Sequence, residues 1–108
     1  MGKDRKIIAG EFFSNGKNCS QSVFMAFADK LGIDQDAAFS LAAGFGGGIA
    51  RNGEVCGAVT GATMVLGVIY GQPGDDPDAS KEETARKVNE FLAEFKTRQG
   101  SITCRELI

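Results

Sequence analysis

Apolar residues along this chain recur every three or four positions, and no segment alternates with a period of two. Ile7, Ile8 and Phe12 predict a first helix over residues 3–14, stopped by the turn Ser14–Gly16. Asn18 is placed to cap a second helix whose apolar face is Val23, Phe24, Phe27 and Leu31, with Gly32 just past its end. Asp34 caps a third, with Ala37, Ala38, Leu41 and Ala42 on one face. The stretch GFGGGIARNG carries too much glycine to hold a helix and reads as a loop or a distorted helix end.

From Val55 to Tyr70 every position is uncharged, which predicts a helix buried on all sides and more buried than any other. Pro77 suits a first helical position, and Ser80–Glu83 (SKEE) has the form of a capping box. The fifth helix then carries the stripe Ala85, Val88, Phe91, Leu92 and Phe95, while Glu82, Glu83, Glu90 and Glu94 form its wet face. Phe12, Phe24 and Phe27 join Phe91 and Phe95 as expected core. Ser101 is placed to cap one more short helix, ITCRELI. The expected fold is all-α: one domain over residues 1–108, a bundle of five or six short helices around a central, apolar, glycine-containing helix.

That central segment invites a membrane reading. Its 17 uncharged residues, 55–71, reach the lower edge of a spanning length, and Gly57 and Gly61 form a G-x-x-x-G pair. No cationic or aromatic anchors flank it on both sides, so a buried helix is expected, with the glycines admitting a close neighbour. Residues 1–10 lack the apolar core of a signal peptide, and the cytoplasm is the expected location.

Charge excludes further classes. Twelve Lys and Arg are interspersed among fourteen Asp and Glu, net −2, with no basic run of the kind nucleic acid requires. Histidine is absent, which removes Cys-His nucleophilic pairs, His-liganded metals and any histidine base supplied by this chain. The glycine cluster fails the dinucleotide fingerprint, because Ile49 stands where the third glycine belongs, and it lacks the Gly-Lys-Ser/Thr of a phosphate loop. Arg51 beside it reads as solvated surface or as a positive charge near a sulfur.

Cysteine remains. Cys19, Cys56 and Cys104 are too few and too far apart for a secreted disulfide scaffold, and no C-x-x-C occurs. Each follows a helix-start signal: Asn18, Asn52-Gly53 and Gly100-Ser101. The first turn of a helix offers unpaired N–H groups and the positive end of the macrodipole, which favour a thiolate over a thiol. Gly57 clears space beside Cys56. If the second and third helices run antiparallel, the chain returns to the end it left, and Cys56 starts the next helix near Cys19. The long fifth helix brings Cys104 toward the same end.

The order is a cysteine early in a helix, then the box Cys56-Gly57-Ala58-Val59-Thr60-Gly61, then a late cysteine after a long amphipathic helix. It resembles the C-GCAxxG-C-C family, with NCSQSVF around Cys19 and ITCRELI around Cys104 as the flanking elements. The family name presumes redox activity, and the resemblance implies no defined substrate. The family pattern has a fourth cysteine downstream of the third. This sequence ends four residues after Cys104 without one, so either the chain is truncated at its C-terminus or this member lacks that site.

Three functional readings follow. The first is a redox-active thiol protein of the thiol–disulfide oxidoreductase class. Cys56 is the reactive thiol, Cys19 its partner and Cys104 accessory, acting with a redox partner or small-molecule substrate and needing no cofactor. The second uses Cys19, Cys56 and Cys104 as ligands to zinc or an iron–sulfur cluster. The third is a non-catalytic helical module that forms a homodimer through its glycine-lined helices.

Overall fold

A computed structural model describes residues 5–107. Six α-helices account for most of them: α1 Arg5–Ser14, α2 Cys19–Leu31, α3 Gln35–Ala42, α4 Gly57–Tyr70, α5 Pro77–Gln99 and α6 Cys104–Leu107, with a 3-10 turn at Ala43–Phe45. The only β-type pairing among the described residues is a single antiparallel bridge between Val55 and Thr103. Residues 3 and 4 of the expected first helix lie outside the described residues. No helix among the described residues is long and apolar enough to cross a membrane.

The helix at the centre is α2. Asn18 caps it as expected: its side chain accepts from the Gln21 backbone N–H at 2.8 Å, while the Gln21 side chain accepts from the Asn18 N–H at 3.0 Å. Gly32 ends it in the left-handed conformation. Phe24, at 2 % exposure, heads a core shared with Met25, Ala28, Ala38, Ala42 and Val65, and Phe12, Phe27, Leu31 and Met64 pack around it. Arg5 ties α1 to the end of α2, donating to the Ala26 carbonyl at 2.8 Å and to the Asp29 carboxylate at 2.7 Å. The Lys30 backbone N–H holds the Asp29 carboxyl below its ordinary range, and Arg5 acts in the same direction.

Several expectations are corrected. The most buried helix is α2, not α4. In α4 the buried residues Gly57, Val59, Gly61 and Val65 leave much of the surface half-covered, because α5 lies along it without burying any residue of its own. Phe91 and Phe95 therefore sit outside the core, half-buried against each other with ring centroids 5.9 Å apart. In α3 only Ala38 and Ala42 are buried, while Ala37 is exposed and Leu41 is 57 % exposed. The start of α5 is capped by Asp76, whose carboxylate accepts from the Ala79 N–H at 3.2 Å. Ser80 lies inside that helix and donates instead to the Tyr70 carbonyl at 2.9 Å. Pro77 opens the helix as expected, which leaves the expected box inside it.

Candidate functional site

The most extensive helix–helix contact joins α2 and α4, and the Gly57/Gly61 pair forms it. A methyl group on Gly57 would collide with Cys19 Sγ and lie 3.0 Å from the Ser20 backbone N. One on Gly61 would lie 2.9 Å from the Ser20 carbonyl oxygen and 3.0 Å from Val23 Cβ. Thr60 satisfies its hydroxyl against the Gly57 carbonyl at 3.0 Å and reaches the buried Ser20 Oγ at 3.4 Å. The VCGAVTG box is thus a crossing point of two helices, made at the sulfur of Cys19.

Cys56 occupies the N-cap position of α4, one residue before the expected first turn, and its side chain makes no capping hydrogen bond. Its backbone N–H donates to the Ile102 carbonyl at 2.7 Å, while the Cys104 N–H donates to the Glu54 carbonyl at 2.6 Å. These two bonds make the Val55–Thr103 bridge, which sets Cys56 opposite Ile102 and Cys104 opposite Glu54 and so ties the two cysteine-bearing segments together. Ser101 secures the approach by accepting from the Thr103 N–H at 3.0 Å.

The glycine cluster closes the site from the other side. Gly47, Gly48, Ile49, Ala50 and Arg51 all have positive φ, between 51° and 73°. Backbone bonds hold them, among them Arg51 N–H to the Gly46 carbonyl at 3.1 Å and Glu54 N–H to the Gly48 carbonyl at 2.9 Å. Left-handed backbone costs a non-glycine residue about 1–2 kcal/mol, so Ile49, Ala50 and Arg51 are strained. Ala50 is exposed, and Ala50→Gly is expected to raise stability by about 0.5–1 kcal/mol in denaturant melts, glycine's added unfolded-state entropy offsetting part of the relief. A loss of stability would show that the turn is not left-handed in solution.

Two glycines of the cluster admit side chains closely. A methyl on Gly46 would meet the Asn18 side chain at 2.5–2.7 Å, and one on Gly48 would meet Cys104 Cβ at 2.8 Å.

The outcome is one cleft of about 570 Å³ with Cys19, Cys56 and Cys104 all on its walls. Phe13, Asn18, Ala43, Ala50, Arg51 and Leu107 complete much of its lining. All three cysteines are free and half-buried. Among the described residues no three His, Cys, Asp or Glu side chains group closely enough to hold a metal ion, so the sulfurs share a cavity without forming a ligand cage.

Sequence reasoning missed Phe13, 63 % exposed at the end of α1, and Leu107. Phe13 had one visible signal, a large aromatic off the apolar stripe of its helix. Leu107 had none.

A protein-family comparison matches residues 17–108 to the family described as "Putative redox-active protein (C_GCAxxG_C_C)". An uncharacterized protein of Archaeoglobus fulgidus is 38% identical over 53 residues, which is 48% of this chain and 35% of that relative. The match thus spans about a third of the relative's length. No solved structure matches. With the family pattern matched across residues 17–108, including all three cysteines, the chain belongs to the C_GCAxxG_C_C family.

Proposed function

We propose that this protein carries out thiol–disulfide exchange in the cleft, with Cys56 attacking, Cys19 resolving and Cys104 accessory. The observation that carries the reading is convergence: three thiols separated widely in sequence are free, half-buried and on the walls of one cavity. Two of them sit at starts of long helices, where unpaired N–H groups and the helix dipole favour negative charge nearby.

The Cys56 thiolate attacks a substrate disulfide, forming a mixed disulfide and releasing one substrate thiolate, which takes up a proton. The Cys19 thiolate then attacks the Cys56 sulfur, forming the Cys19–Cys56 disulfide and releasing the second thiolate. Two protein thiols are oxidised and one substrate disulfide is reduced.

The test is reaction of the reduced protein with 2-hydroxyethyl disulfide. The wild type is expected to release two thiol equivalents. Cys19→Ser should release one and stop at a mixed disulfide on Cys56, and Cys56→Ser should react no faster than a simple thiol. Cys104→Ser should behave as the wild type. A mixed disulfide trapped on Cys104 in the Cys19→Ser protein would overturn the assignment.

A further inference from the structure

Among the described residues lining the cleft, one is charged: Arg51. The walls near it are neutral, supplied by Phe13, Ala43, Ala50, Leu107 and glycine backbone. The neighbouring arginine is engaged: Arg105 donates to the Asn52 carbonyl at 3.0 Å with Glu54 3.9 Å away. Among the described residues the Arg51 side chain makes no hydrogen bond and no ion pair.

Its stem is nevertheless positioned. A methyl on Gly47 would lie 3.0 Å from Arg51 Cα and 3.1 Å from Cγ, so the arginine rests on the glycine backbone of the cleft wall. Its own φ is +67°, a conformation an arginine holds at a cost. The result is an exposed guanidinium, without a hydrogen-bond or ion-pair partner among the described residues, on a tethered turn that lines a cavity presenting three thiols. A planar fork of N–H donors in such a place is matched by a carboxylate, which it binds in bidentate fashion.

We propose that the cleft selects small disulfides that carry a carboxylate, with Arg51 as the residue that receives it. This rests on the thiol-exchange reading, since the carboxylate binds only to bring the adjacent disulfide to Cys56. Cys56 then attacks the disulfide sulfur, and the departing thiolate takes a proton from solvent, as in the exchange above. Arg51 takes no part in bond making; it sets which substrate is held.

The experiment compares three disulfides with the reduced protein: 3,3′-dithiodipropionate, anionic; 2-hydroxyethyl disulfide, neutral; and cystamine, cationic. Each rate is read as the ratio of wild type to variant, which removes the differing leaving-group reactivity of the probes. Asparagine tolerates the left-handed backbone, so Arg51→Asn keeps the turn. It is expected to slow the anionic probe by about fivefold to tenfold, less than the loss of a buried charge-assisted hydrogen bond because Arg51 is exposed to solvent. The neutral probe should stay within about twofold, and the anionic effect should shrink in high salt as charge is screened. Arg51→Lys should restore part of the anionic rate, since it returns the charge without the fork. Equal ratios for all three probes, with the neutral probe still reacting rapidly, would overturn the role of Arg51 and leave the thiol reading standing. Wild-type rates no faster than those of free cysteine with every probe would overturn both.

Discussion

Gly57→Ala is expected to destabilise the protein by about 1–3 kcal/mol, the usual cost of overpacking, and to disturb the thiol site at the same time. The added methyl would run into Cys19 Sγ and press on the Ser20 backbone. Ser20 is fully buried at the start of the most buried helix, so α2 has little room to yield. Helix propensity offsets little of this, since Gly57 is the first residue of α4 and the alanine advantage of about 0.8–1.0 kcal/mol belongs to a helix interior. Gly67→Ala on the same helix separates the two effects. Nothing lies within 4 Å of a methyl there, so that substitution is expected to stabilise by about that propensity difference. Denaturant midpoints that move in opposite directions for Gly57→Ala and Gly67→Ala support close approach at the box. A shift in the same stabilising direction for both would contradict it.

Phe24→Ala should have the largest effect of any single truncation in the core, about 3–5 kcal/mol. Phe24 is the largest fully buried side chain, and the small residues around it, Ala28, Ala38 and Ala42, cannot expand to fill the void. Against a total stability on the order of 5–15 kcal/mol, the loss removes about a fifth or more of the whole and should show as a large fall in the denaturation midpoint. Phe91→Ala, half-buried on α5, should cost much less. Equal losses at the two positions would mean that α5, rather than α2, organises the core.

That contrast shows what hydrophobic pattern could and could not reveal. Helix existence was readable because caps and turn residues carry local chemistry: Asn18, Gly32 and Asp34 act where their types require. Which helix lies at the centre was not. An uncharged surface like that of α4 reads as buried on all sides, yet the small Ser20, Ser22, Ala26 and Ala28 let α2 take the middle and satisfy its polar groups there. Buried serine and glutamine are invisible to a pattern built on apolar residues. The site was legible through its cysteines and through Gly57. The left-handed turn was not, because Ile49, Ala50 and Arg51 are residue types that ordinarily avoid positive φ. Backbone bonds from 49–54 back to 44–49, with Arg105 tying Asn52 and Gly53 from the C-terminal segment, hold them there, and those depend on the fold as a whole.

The direct measurement of the thiol account is to oxidise the reduced protein mildly, cap remaining thiols, digest it and identify the linked peptides by mass spectrometry. The account predicts one dominant intramolecular link, Cys19 to Cys56, with Cys104 recovered capped and the helical content retained. Recovery of Cys19 and Cys56 both capped, or linked only between chains, would contradict it.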